Sequence, residues 1–290
     1  MCHLLQVSCS GYYAFFNQQK STHDLLDDKL ILAVKALHQQ SDCSYGSRRI
    51  AKGLQAQGYR VCRYKARRLM RKAQVSCKQR RRFKVTTQSK HGLPVAANYL
   101  NRQFKVTVPS QAWVADITFI WTKEGWLYLA AVLDLFSRRV VGWALADHMQ
   151  GTLVHEALLM ALGRRQPAHG LMHHSDRGSQ YASKHYQRLL AERGIAVSMS
   201  RKGNCWDNSV MERFFGSLKS ERTNQKYYFT RKEAKADIIE YIEMFYNSRR
   251  LHSTLGYVSP VQFEVMNQHL FNNVSIFTGP EHSINQRRKN

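Results

Sequence analysis

Three acids could do chemistry together. Asp176 closes the segment GLMHHSD within GLMHHSDRGSQY (170–181), where an apolar pair runs through His173 and His174 into a turn-like Arg-Gly-Ser. Asp116 sits inside AWVADITFI (112–120), and Glu212 lies early in WDNSVMERFFGSLKSE (206–221), with 35 residues between it and Asp176. Carboxylates brought together repel one another unless cations stand between them. Hard oxygen ligands with open positions are what Mg²⁺ prefers. Two such ions, roughly 3.5–4 Å apart, could activate a nucleophile and stabilise a leaving 3′ oxygen in an in-line phosphoryl transfer. Each acid also has an ordinary structural role open to it. Aspartate suits helix caps and turns, and Ser209-Val210-Met211-Glu212 matches the S-x-x-E capping box. Chemistry requires a fold that gathers all three.

The surrounding pattern supplies such a fold. AWVADITFI alternates, with Trp113, Ala115, Ile117 and Phe119 on one face and Asp116 on the other, and predicts a strand. TKEG predicts a short hairpin loop, with Gly125 free to take positive φ. WLYLAAVLDLF (126–136), apolar on both faces, suits a central strand, and VVGWALA (140–146) a third. A helix is predicted over 153–164, a short strand ending at Asp176, a helix over 183–194, a strand over 195–200 and a long helix over 206–221 with Val210, Phe214 and Leu218 along one side. Three strands, helix, strand, helix, strand, helix is the order of a ribonuclease H-like α/β domain. In that topology the strands bearing Asp116 and Asp176 are neighbours, and the last helix brings Glu212 beside them. Asp134 and Asp207 are read as structural, and His173 and His174 as core or DNA-facing.

The rest of the 290 residues sets the context. Apolar residues make up 43%, enough for a real core. The longest apolar run, 127–136, is broken by Asp134 and too short to span a bilayer. The N-terminus lacks the charged region of a signal peptide. Six cysteines form no C-x-x-C pair, which argues against a zinc site or a disulfide framework and fits a reducing cytosol. Net charge is +24, which points to a polyanionic partner. The charge is unevenly placed. Residues 43–115 hold 18 Lys and Arg and no acid.

Periodicity predicts that this block folds. Helices are expected over 27–40, with Leu30, Val34 and Leu37 on one face, over 45–58, ending at Gly58, and over 62–74. The last places Leu69 and Met70 inward and Arg63, Arg67, Arg68, Arg71 and Lys72 outward. Two short helices joined by GYRV, the second basic, read as helix-turn-helix-like and DNA-binding. CKQRRRFKVTTQSKHG (77–92) reads as a basic linker without periodicity. HLLQVSCSGYYAFF looks like part of a further helix-turn that begins abruptly at Met1. YNSRRLHSTLGYVSP (246–260) is basic and loop-rich, with Arg249, Arg250 and His252 as candidate DNA contacts.

The stretches WVADITFI, GWLYLAAVLDLFSRRVVGW, HHSDRGSQY, SMSRKGNCWDNSVMERFFGSLKSE, YIEMFYNSRRLHSTLGYVSP and, more loosely, YGSRRI resemble the OrfB part of insertion-sequence-3 family transposases, which are related in fold to retroviral integrases. The resemblance covers about residues 45 to 265. It implies an Asp-Asp-Glu triad at Asp116, Asp176 and Glu212. It also implies Mg²⁺-dependent strand cleavage and joining at terminal inverted repeats, with two ions and Mn²⁺ as a substitute. The implied partners are the element ends and target DNA, further copies of the chain on DNA, and the OrfA product or a fusion to it, with no membrane. The implied location is the bacterial cytoplasm, on the nucleoid. The expected organisation is a helical DNA-binding region over 1–90, a linker over 91–108, the ribonuclease H-like core over 109–265 and a tail over 266–290. A non-catalytic DNA-binding regulator would explain the basic block but not three acids in this order. An enzyme acting on RNA–DNA hybrids would not need the basic N-terminal module.

Overall fold

The computed structural model describes residues 2–17, 21–78 and 94–274. Most of the expected basic linker, 77–92, and the end of the expected tail fall outside these. The chain divides into two compact units, 1–78 and 79–290.

The first unit is helical: α1 (Cys9–Phe16), α2 (Thr22–Gln40), α3 (Ser47–Ala56) and α4 (Arg63–Lys72). Helix α2 starts five residues before the periodicity predicts. Ser21 caps it by accepting from the Asp24 N–H, and its hydroxyl donates to the Asp24 carboxylate. Leu30 and Val34 pack with Ile50 and Leu54 of α3 and Leu69 and Met70 of α4, all buried. One buried group is an acid. Asp27 is 1% exposed and lies 3.6 Å from Lys65, 2.9 Å from Arg68 and 3.0 Å from Lys72. A charge taken out of water must be paired. Three cations of α4 pair this one, so the ion cluster pins α2 to α4.

The second unit is built on a five-stranded sheet in the order β3-β2-β1-β4-β5. Strands β1 (Ala112–Thr122), β2 (Gly125–Asp134) and β3 (Val140–Ala146) form an antiparallel meander. Strands β4 (Met172–Ser175) and β5 (Ala196–Met199) extend it in parallel from β1. The β1–β2 turn is closed by Gly125 at φ 105°, a conformation that only glycine takes easily. Helix α5 (Gly151–Arg165) crosses over one face. It approaches so closely that a Cβ on Gly142 would lie 2.1 Å from the Ala157 carbonyl oxygen. Helices α6 (Ser179–Ala182) and α7 (Lys184–Glu192) continue that layer. Trp113, Ala115, Val132, Leu153, Leu158 and Tyr186 belong to the core between them.

Strand β1 is more buried than its alternation suggests. Val114, Thr118 and Ile120, on the face opposite Trp113, are covered as well. Helices α8 (Ser209–Glu221) and α9 (Arg231–Glu240) both touch β1. Helix α9 runs directly into a π turn, Tyr241–Asn247, and α10 (Pro260–Met266) and α11 (Gln268–Val274) follow. This α/β arrangement is the ribonuclease H-like integrase fold. Part of the stretch expected to be a linker packs on the unit. Leu100 is buried and its N–H donates to Ser198 Oγ, while the Met199 N–H donates to the Ala97 carbonyl.

Candidate active site

Strand pairing places the two aspartates side by side. Val114 of β1 is opposite His174 of β4 in parallel register. Two residues further along each chain stand Asp116 and Asp176. Asp116 remains within β1, which is longer, while β4 ends at Ser175, so Asp176 opens the following turn. One Asp176 oxygen accepts from the Gly178 N–H at 2.9 Å, and one Asp116 oxygen accepts from the Ile117 N–H at 2.8 Å.

Glu212 comes from the first turn of α8. A 3₁₀ turn, Cys205–Asn208, precedes the helix. Ser209 is already helical, Asn208 is the cap residue, and no side chain caps this end. The capping-box role for Glu212 is therefore not the one adopted. Asn208 fixes the start of α8 against β1 instead, with its side-chain amide donating to the Ala115 carbonyl at 3.2 Å.

Electrostatics ties the three acids together. Burial holds the Asp116 carboxyl well above the usual carboxylate range, and the charges of Asp176 and Glu212 push it further, against the Ile117 N–H. Glu212 is exposed at one edge, yet partial desolvation raises its carboxyl too. Sequence reasoning passed over Lys219, two turns after Glu212 on α8. It is half-buried. Desolvation lowers its pKa and the Asp116 charge counters this. Its seven-residue spacing from Glu212, which puts both on one helix face, was the available signal.

The donor set suits a hard divalent cation: three carboxylates, one of them raised by burial and by the charges of the other two. Tyr181 Oη and Asn208 Oδ1 are buried without a hydrogen-bond partner. Asp116 and Asp176 act on the Tyr181 hydroxyl, and Asn208 sits beside Ala115. Such atoms are ready to meet an ion's waters. Among the described residues no three His, Cys, Asp or Glu side chains are drawn closely enough to enclose an ion.

The other acids and histidines are structural. Asp134 is fully buried, accepts from the N–H groups of Ser110 and Phe136, and is raised to about 6 by burial. Asp207 is bonded by Arg201, Arg102 and Asn98, and the Arg201 bond, with Arg102 assisting, holds its carboxyl far below the usual range. His173 meets the Tyr186 hydroxyl at 3.0 Å, and His174 meets Ser198 and Ser200. Both rings are buried, so they serve the core.

The candidate DNA contacts divide. Arg63, Arg67 and Arg71 are exposed on α4. Arg68 and Lys72 are about half exposed but engaged by Asp27. Arg249 is exposed, with its Nε donating to the Met244 carbonyl. Arg250 is a correction. It is 4% exposed, and both its Nε and Nη2 donate to the Glu221 carboxylate, so it is not on the surface to meet DNA. His252 is likewise buried. An Arg-Arg pair in a basic stretch looks solvent-facing in sequence, but a buried partner 29 residues earlier decides otherwise.

Family models described as "Integrase core domain" match residues 107–205 and 212–268, and one described as "HTH-like domain" matches 25–83. The insertion element IS600 uncharacterized 31 kDa protein of Shigella sonnei is 44% identical over 91% of this chain and 97% of its own length. Transposase InsF for insertion sequence IS3A of Escherichia coli (strain K12) is 39% identical over 92% of this chain and 93% of its own. Among solved structures, the HTLV-2 integrase catalytic core domain in complex with magnesium aligns with 55% of this chain and 99% of its own, at 16% identity and a TM-score of 0.43.

Proposed function

The chain belongs to the insertion-sequence-3 family of transposases, and on that premise we propose that Asp116, Asp176 and Glu212 are the acids that carry its polynucleotidyl transfer at the terminal repeats of an insertion sequence. The observation that carries the assignment is the parallel pairing of β1 with β4, which sets Asp116 and Asp176 two residues beyond the Val114–His174 pair on neighbouring strands, with Glu212 in the first turn of α8, a helix that touches β1. Asp116 and Asp176, on neighbouring strands, would hold a divalent cation, and Glu212 would complete the set from α8. Bound Mg²⁺, or Mn²⁺ in its place, supplies Lewis acidity to the attacking and leaving oxygens of an in-line phosphoryl transfer. Lys219, whose ammonium feels the Asp116 charge, would orient a phosphate there. The sheet keeps the two aspartates in fixed register, so the geometry is set before DNA arrives.

The helical unit is the DNA-holding part in this reading, with Arg63, Arg67 and Arg71 of α4 as its phosphate contacts and residues 1–90 as its extent. Several copies of the chain on DNA, and an OrfA product or a fusion to it, complete the working assembly. No described helix is long and apolar enough to cross a membrane.

The test is Asp116→Asn and, separately, Asp176→Asn. Each should lose strand cleavage and joining by orders of magnitude in Mg²⁺ and Mn²⁺ while binding DNA as the unaltered chain does. Normal cleavage by either variant would sink the triad.

A further inference from the structure

The β1–β2 hairpin carries an aromatic surface that the transfer chemistry leaves unused. Phe119 and Trp121 share one face of β1, and Trp126 of β2 is paired opposite Trp121. The Trp126 ring stands edge-on to both, 4.9 Å from Phe119 and 4.7 Å from Trp121 between centroids. Trp121 is 59% exposed and Trp126 42%. The flanking charge is positive. Lys219 Nζ lies 4.7 Å from the Phe119 ring centroid, and Lys123 Nζ lies 4.1 Å from that of Phe229, itself exposed. The acid of the turn, Glu124, accepts from the Arg231 N–H. Lys219 is also the ammonium that Asp116 acts on, so the aromatic surface and the carboxylates share a neighbour.

We propose that Phe119, Trp121 and Trp126 form a stacking surface for unpaired nucleobases of the DNA end whose phosphate is being cleaved. The proposal rests on the reading of Asp116, Asp176 and Glu212 as the reacting centre. Aromatic rings beside cations are what single strands bind: every base has a π-face for the indoles and a phosphate for the lysines. Bases inside a duplex hide those faces, so the ligand is a frayed or extruded nucleotide. A second copy of this chain suits the surface less well. It carries the same +24 charge and would bring cations against Lys123 and Lys219.

The experiment compares the full chain carrying Trp121→Ala/Trp126→Ala with Trp121→Phe/Trp126→Phe. Both are placed in the Asp116→Asn background without divalent cation, so that binding is read with no cleavage. The probes are a blunt duplex and the same duplex with a short single-stranded tail containing 2-aminopurine. The parent should bind the tailed DNA roughly tenfold more tightly and quench the probe. The alanine pair should lose that preference and the quenching, with blunt-duplex affinity unchanged, and the phenylalanine pair should keep most of both. If the alanine pair melts early, Trp121→Ala alone carries the comparison. A tail preference that survives, or an equal loss on both DNAs, overturns the proposal. So does a concentration-dependent dimer of the parent that the alanine pair dissociates. Failure of the triad would show separately, as cleavage by Asp116→Asn in Mg²⁺.

Discussion

Glu212 separates two meanings of one carboxylate near a helix start. A capping glutamate acts on a backbone N–H, and losing a cap costs on the order of 1 kcal/mol. A metal-binding glutamate acts on charge, and losing it costs rate. In sequence both readings hold, because Ser209 stands three residues ahead. In the structure Ser209 is inside the helix and no side chain caps the end, so the cap is not made. Glu212→Gln keeps the shape and removes the charge. It should melt near the temperature of the unaltered chain, bind DNA equally well, and fail to cleave or join strands. Near-normal strand transfer by this variant would return the third position to the search. Asp207 would be a poor substitute there, since Arg201 and Arg102 already engage both of its oxygens.

Elements were legible in sequence where pattern and packing agree. The meander and the two short strands follow from apolar pattern and turn residues, and Asp116 and Asp176 on adjacent strands follow from the ribonuclease H-like order of the elements. Strand β1 shows the limit, because alternation marks one buried face and tertiary packing covers the other as well. Helix α9 and its π turn were not read from periodicity, although Thr230-x-x-Glu233 is a start signal that the structure uses. Thr230 accepts from the Glu233 N–H, and the Glu233 carboxylate accepts from the Phe229 N–H. Burial of charge is the least legible feature. Arg250 belongs to the loop after the π turn and Glu221 to the end of α8, and their bonds of 2.6–2.7 Å fasten the two segments, with Tyr241 Oη donating to the same carboxylate at 2.7 Å. Removing one partner of such a pair strands the other, at about 3–5 kcal/mol. Arg250→Met should therefore lower the melting temperature sharply, and Arg250→Met with Glu221→Gln should recover part of the loss. Both should bind DNA normally while folded. A variant that melts normally but binds DNA weakly would restore Arg250 to the interface.

At the scale of the whole molecule, the proposed roles divide between the two units, one holding DNA and one cutting it, and kinetics can tell the two tasks apart. The acid-free segment 43–115, with its 18 Lys and Arg, has most of those charges on the helical unit, and the three acids fall on the other. A cation that only holds phosphate contributes equally before and during reaction, so its loss raises the DNA concentration needed and leaves the turnover rate alone. A carboxylate at the reacting centre acts in the transition state, and no amount of DNA replaces it. Arg63→Ala/Arg67→Ala/Arg71→Ala should weaken binding and flatten its dependence on log salt by roughly 0.9 for each phosphate no longer neutralised. At low salt and saturating DNA the same variant should cleave at the rate of the unaltered chain. Asp116→Asn should show the reverse, with ordinary affinity, an ordinary salt slope and no cleavage at any DNA concentration. An unchanged slope in the arginine variant would make that face of α4 merely solvated. A rate that stays low at saturation would mean that the helical unit takes part in the transition state, and the division of labour would fall.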